Sequence, residues 1–419
     1  MMNEHAEVLI IGAGPAGLHA ALAAAPSGAR IVLLDDNPAP GGQIWRDGPH
    51  AALPTQVIRL RERLQGYGNV QVHTATRVIA RPAPYRLLVE NEERGWIIDY
   101  AKLILCTGAR ELLLPFPGWT LPGVTGAGGL QALVKGGLPI AGERVVVAGS
   151  GPLLLASAHT AQKQGARVIR IAEQASPGAV ARFAAQLPRW PHKALQALQL
   201  GSAVYRTDSY VLAALGSERL EGVRLMQRGR TVEIPCERLA CGFGLVPNTQ
   251  LGEALGCALQ AGTIAVDDWQ ATSLADHFAA GECTGFGGSE LASVEGSIAG
   301  HAAVGDQATA ARLWSKRSLW QGFAAVLNRA FTLRPALATL CEPDTLVCRC
   351  EDVPYAAVQP HGSWREAKLA TRCGMGACQG RVCGAATAQL FGWQPSTPRP
   401  PFSPARIATL LCIDDHPPT

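Results

Sequence analysis

The first 36 positions hold two unbroken apolar runs, "VLII" at 8–11 and "IVLL" at 31–34, separated by glycines and an alanine-rich stretch, "LHAALAAAPSGAR". Short apolar runs bounded by glycine predict strands buried on both faces, and the alanine-rich segment between them predicts a helix. The same pattern returns at 144–173 as "RVVVAGSGPLLLASAHTAQKQGARVIRIAE", with Gly149, Gly151 and Gly165 matching Gly12, Gly14 and Gly28. Between the two units, residues 70–105 read as short strands, and more strands follow the second unit up to "RLACGFGLVPN". "HFAAGECTGFGGSELASVEGSIAGHAAVG" then predicts a strand, a glycine loop and a helix, and residues 306–340 read as a polar, helical linker.

Composition narrows the classes. Of 419 residues, 47% are apolar and 17% charged, which predicts a globular chain of several domains. The net charge of +4 is too small to imply nucleic-acid binding. No run of about 18 apolar residues predicts a membrane span. The N-terminus leads straight from a strand into glycines, unlike a signal peptide, so the expected location is cytoplasmic.

The first glycine series carries chemistry. Gly12 permits a tight turn, Gly14 lets a pyrophosphate approach the backbone, and Gly17 lets the helix pack closely on the strand. The helix N-terminus then offers free N–H groups to phosphate. Asp35, eighteen residues past Gly17, stands where an acid would hold a ribose hydroxyl. In the second series Leu154 replaces the third glycine. By sequence spacing Ala172 matches Asp35, and Glu173, one residue later, is expected on the opposite strand face. The expectation is an architectural domain with a degraded fingerprint and a doubtful NAD(P) site.

Twelve cysteines are many for a reducing compartment, and five of them fall between Cys348 and Cys383. "VCRCE" and "TRCGMGACQGRVC" supply two close pairs, Cys348 with Cys350 and Cys378 with Cys383, as four thiolate ligands. The spacing leaves a [2Fe–2S] cluster, zinc or no metal open, with iron–sulfur favoured because zinc sites usually show Cys-x-x-Cys pairs. Cys373 is a spare: a buried thiol, an alternative ligand or neither. No Cys-x-x-Cys occurs, which argues against a thioredoxin-reductase-like disulfide. No catalytic constellation stands out among the scattered histidines.

"PAPGGQIWR", "LILCTGARE" and "FAAGECTG" together resemble the two-dinucleotide-binding flavoproteins related to glutathione reductase. The resemblance implies FAD on Gly12, Gly14, Gly17, Asp35, Gly42, Gln43, Thr107, Gly108, Gly281 and Glu282, with Glu282 in place of the usual aspartate. "CRCED…TRCGMGACQGRVC" resembles the bacterioferritin-associated-ferredoxin-like [2Fe–2S] domain. Over nearly its full length the chain resembles the α (A) subunits of heteromeric amino- and imino-acid dehydrogenases: opine oxidase, hydrogen cyanide synthase, and proline or D-hydroxyproline dehydrogenase.

The fold class expected is α/β, with two Rossmann-like domains and a small cysteine-rich domain. The expected divisions are 1–115 and 246–305 for the two halves of the FAD domain, 116–245 for the NAD(P)-like domain and 306–340 for the linker. The iron–sulfur domain is expected at 341–392 and a Pro-rich tail, extended over a surface or partner, at 393–419. The resemblance implies a β flavoprotein partner that oxidises the substrate, often a small ferredoxin-like γ subunit, and an electron acceptor such as a quinone. The alternative reading is a stand-alone NAD(P)H-dependent ferredoxin or small-molecule reductase.

Overall fold

The computed structural model describes residues 4–394 and 397–413; the rest of the expected Pro-rich tail (395–396 and 414–419) and the first three residues lie outside them. The described residues form two units, 4–110 with 247–324 and 397–413, and 111–246 with 325–394. The division of the long helix Trp314–Ala330 falls between residues 324 and 325.

The first unit is built on a seven-stranded sheet. β1 (Glu4–Ile11), β2 (Ile31–Leu34), β3 (Val70–His73), β4 (Arg77–Ala83), β5 (Arg86–Glu90) and β6 (Gly95–Leu105) lie in the order β3-β2-β1-β6-β5-β4, and the strand His277–Ala279 pairs with β6. β1 runs parallel to both β2 and β6, with Ile11 opposite Leu34 and Leu105. A strand between two parallel neighbours is covered on both faces, which explains the unbroken apolar run Val8–Ile11. Val8, Ile10, Ile31 and Leu33 pack in one apolar layer, and Leu9, Ile11, Val32 and Leu34 in the other.

Helix α1 (Pro15–Ala24) opens with proline in its first turn, where a missing N–H does no harm. It packs against the helix Gly288–Ala303 at backbone distance: a Cβ at Gly296 or Gly300 would run into the carbonyls of Ala16 or Ala20.

The tail is not extended throughout. Its segment Ile407–Leu411 is a short helix in the first unit, where Thr409 Oγ1 and Arg406 N donate to Glu90 Oε2 at 2.6 and 2.9 Å.

The second unit has a five-stranded sheet of β7 (Val124–Gly126), β8 (Arg144–Gly149), β9 (Arg167–Glu173), β10 (Tyr205–Arg206) and β11 (Arg238–Gly242), in the order β10-β9-β8-β11-β7. Helix α2 (Leu153–Lys163) follows the glycine loop, and an antiparallel three-stranded sheet spans residues 209–235. The cysteine module carries its own small core of Val347, Val353, Val358, Trp364 and Ala367, into which Cys348, Cys373 and Cys383 are packed. Trp119 Nε1 donates to Leu346 O at 2.6 Å, and the Arg349 guanidinium lies 5.2 Å from the Trp119 ring. Among the described residues no helix is long and apolar enough to cross a membrane.

Candidate functional site

The first glycine loop is a cradle that only glycine permits. Gly12 has φ +103°, and a Cβ there would strike Cys106 O; a Cβ at Gly17 would strike Gly12 O. Gly14 is open apart from Gly42, whose Cα would lie 3.9 Å from an added Cβ. Asp35 is buried at the end of β2. Its Oδ2 accepts from Ala13 N at 2.6 Å and its Oδ1 from Asn37 N at 2.8 Å, so the carboxylate is fixed against the loop.

Beside it a cavity of about 210 Å³ is lined by Asn37, Pro38, Ala39, Gly42, Arg46, Asp47 and Gly48. Arg46 donates to Asn37 Oδ1 and Gln43 Oε1, while its Nε is buried without a partner. An orphaned guanidinium N–H in a cavity wall suits an anionic or polar ligand. Arg46 was missed in the sequence, although "GGQIWR" contains it.

Thr107 and Gly108 follow β6; Thr107 Oγ1 donates to Asn248 O, and Gly108 has φ +65°. Gly281 N donates to Glu295 Oε2 at 3.1 Å. Burial raises Glu295 to about 7, with the Arg317 cation and the Gly281 and Thr284 hydrogen bonds opposing the rise. Glu282 is half-buried, burial raises its carboxyl, and among the described residues it accepts no hydrogen bond. Sequence reasoning missed Glu295 because nothing in the pattern of its helix separates it from a surface glutamate. A loop closed to a Cβ at Gly12 and Gly17 but open at Gly14, a fixed acid, an orphaned arginine N–H and an unpartnered carboxylate fit a flavin dinucleotide.

The second loop differs from the sequence expectation in register. Gly12 N donates to Leu34 O beside Asp35, and Gly149 stands opposite Glu173, with Ala148 opposite Ala172. Glu173, not Ala172, therefore occupies the place of Asp35. The reason is an irregularity in β9 between Val168 and Arg170 that absorbs one residue, which linear counting misses.

Glu173 also makes the same kind of bonds, its Oε2 accepting from Gly151 N at 2.7 Å and its Oε1 from Ala175 N at 2.8 Å. Burial pushes it up to about 7, against the opposing effect of these bonds. Leu154 is also accommodated: it is fully buried in the core, and its Cδ2 lies against Gly242 of the adjacent strand, where a Cβ would be 3.3 Å away.

In the cysteine module the sulfurs of Cys348, Cys373 and Cys383 all lie within 4.8 Å of one another. Cys350, exposed, and Cys378, half-buried, lie close enough for each thiol to influence the other's protonation. Cys373, the spare of the sequence reading, is a fully buried member of the group. Burial raises Cys378, but N–H groups of Val382, Gly380 and Arg381 and the Cys350 thiol outweigh it and lower the thiol overall. A Cβ at Gly376 would strike the Cys350 side chain, and one at Gly374 the Trp364 ring, so the glycines let the loop close around the sulfurs. Three gathered sulfurs, with Cys350 and Cys378 in the same module and backbone N–H groups acting on Cys378, are compatible with an iron–sulfur centre.

Residues 6–307 match the model of the pyridine nucleotide-disulphide oxidoreductases. The chain is 30% identical to the A component of opine oxidase from Rhizobium meliloti, over 98% of this chain and 88% of that one. It is 31% identical to the hydrogen cyanide synthase component HcnB of Pseudomonas aeruginosa, over 90% of each. The L-proline dehydrogenase structure from P. horikoshii shares the fold, with TM-score 0.68 and 18% identity over 98% of this chain and 80% of that one. The expected fold class, two dinucleotide-binding folds of the glutathione-reductase type with a cysteine-rich C-terminal region, is the one found. The chain belongs to the pyridine nucleotide-disulphide oxidoreductases and, within them, to the family of the opine oxidase A and HcnB subunits, and is an FAD-dependent oxidoreductase.

Proposed function

We propose that the chain is the FAD and [2Fe–2S] electron-transfer subunit of a heteromeric dehydrogenase for an amino or imino acid of the D-hydroxyproline, proline or opine class. The C–N bond is oxidised in a partner flavoprotein, while a small ferredoxin-like γ subunit completes the complex and a quinone or similar carrier takes the electrons. The flavin accepts electron pairs and the cluster passes single electrons when bound. The observation that carries this reading is a module of five thiols, three of them with their sulfurs gathered, in a chain that also keeps a flavin cradle.

In this reading residues 1–115 and 246–305 hold the flavin. Gly12, Gly14, Gly17, Gly42 and Gln43 face its phosphates, Asp35 its ribose, and Thr107, Gly108, Gly281 and Glu282 the ribitol end. Residues 341–392 hold the cluster on Cys348, Cys350, Cys378 and Cys383; residues 116–245 are the NAD(P)-like domain, 306–340 the linker and 393–419 the tail. The protein works in the cytoplasm.

The test is the visible spectrum of the chain purified without oxygen, alone and with its co-expressed partners, after addition of proline, hydroxyproline, an opine or NADH. Bleaching by an amino or imino acid only with partners present supports the proposal. Bleaching of the isolated chain by NADH would overturn it in favour of a stand-alone NAD(P)H-dependent reductase, the reading that the register of Glu173 favours. Cys378→Ser is expected to lose iron with flavin retained, and Cys373→Ser to keep both.

A further inference from the structure

The glycine loop of the second fold is covered by the chain's own segment Phe331–Arg334. Ser150 Oγ donates to Phe331 O at 2.9 Å. Gln174, fully buried, donates through Nε2 to Thr332 O at 3.0 Å and to Ser150 Oγ at 2.9 Å, and its Oε1 accepts from Arg334 N at 3.1 Å. The Phe331 ring meets Phe183 edge-on at 5.2 Å, and a Cβ on Gly151 would lie 3.8 Å from the Phe331 side chain. Arg334 pairs with Asp208 at 2.5 Å. Leu333 before it and Leu337 and Leu340 after it pack into the apolar core of this unit with Trp119 and Phe243.

Gly151 corresponds to Gly14, the position at which a pyrophosphate approaches the backbone of a dinucleotide fold. Here the Phe331 side chain lies against that position, and the carbonyls of Phe331 and Thr332 are held beside it by Ser150 and Gln174. The hydroxyl of Ser150, which would otherwise face a phosphate, is spent on one of them.

We infer that Phe331–Arg334 is a built-in occupant of the second dinucleotide site, which closes it to NAD(P)H and makes it the seat of the segment that leads into the cysteine module. A strap on the same chain competes at the high effective concentration of a short tether. A free dinucleotide binds only the small fraction of molecules in which the strap is open, and its apparent affinity falls by that fraction. No partner or substrate enters this inference, so it stands apart from the proposed function.

The test is equilibrium binding of NADH and of ADP-ribose to the full flavin-loaded chain, by calorimetry, for the natural sequence and for Phe331→Ala/Arg334→Ala. The natural chain is expected to show no saturable binding up to about 1 mM, the upper end of ordinary enzyme affinities. The double variant, with normal flavin content and cooperative unfolding, is expected to bind at least about tenfold tighter. Hydrogen exchange gives a second readout that needs no variant: the Arg334 amide is expected to exchange slowly, and equally with and without NADH.

Micromolar binding to the natural chain would overturn the inference. So would rapid exchange at Arg334, or a folded double variant that gains no binding, since the strap would then not be what closes the site.

Discussion

At Gly14 an added Cβ would meet only the Gly42 backbone, 3.9 Å away, while at Gly151 it would lie 3.8 Å from the Phe331 side chain. The two loops descend from the same local pattern, each with a strand, a φ-positive glycine and an acid gripping the turn through backbone N–H groups. What differs is what the rest of the chain brings to them. The first faces a cavity with an orphaned arginine N–H; the second faces carbonyls and a phenyl ring. A glycine fingerprint thus specifies a backbone shape, and whether that shape is a ligand site depends on residues far away in sequence.

The comparison can be broken at several points. The largest effect on flavin binding is expected at Gly17→Val, whose side chain would collide with Gly12 O and force α1 off the strand. A strain of about 1–3 kcal/mol corresponds to a loss of about fivefold to somewhat over a hundredfold in flavin affinity, read as flavin absorbance per protein. Leu154→Ala, at the matching position of the second fold, should leave flavin content unchanged. It empties a fully buried site and should destabilise the second unit by about 2–5 kcal/mol in denaturant unfolding.

Glu173→Gln sharpens the comparison through pH. Burial raises the folded carboxyl from 4.5 to about 7, so between those values the folded chain holds a proton that the unfolded chain has released. Stability is therefore greatest below the unfolded pKa and falls as pH rises through the window, by about 3 kcal/mol at about 1.36 kcal/mol per unit. The glutamine variant should lose that slope when urea midpoints are compared at about pH 5 and about pH 7.5. The smallest effect is expected from Ser150→Ala, which removes one hydroxyl bond to the strap and should lower stability by about 1 kcal/mol.

Much of the first site was legible because its signals are local. The glycines, the strand before them and Asp35 lie within about one βαβ unit, and regular strands keep linear counting in step with spatial register. In the second unit counting failed by one residue, because the irregularity between Val168 and Arg170 has no sequence signature of its own. Arg46 and Glu295 were unreadable for another reason. A buried arginine N–H and a glutamate beside Gly281 become distinctive only through burial and neighbours.

The sequence by itself determined the repeated strand–glycine–helix units, the first acid and the crowding of thiols near the C-terminus, because periodicity, glycine and cysteine impose their physics over a few residues. Only the tertiary structure decided that Glu173 grips the second loop and that Cys373 joins Cys348 and Cys383. It alone showed Phe331–Arg334 lying where a pyrophosphate would approach. Each of these depends on segments dozens to nearly two hundred residues apart being brought together by burial of apolar surface, which acts on the whole chain and leaves no local mark.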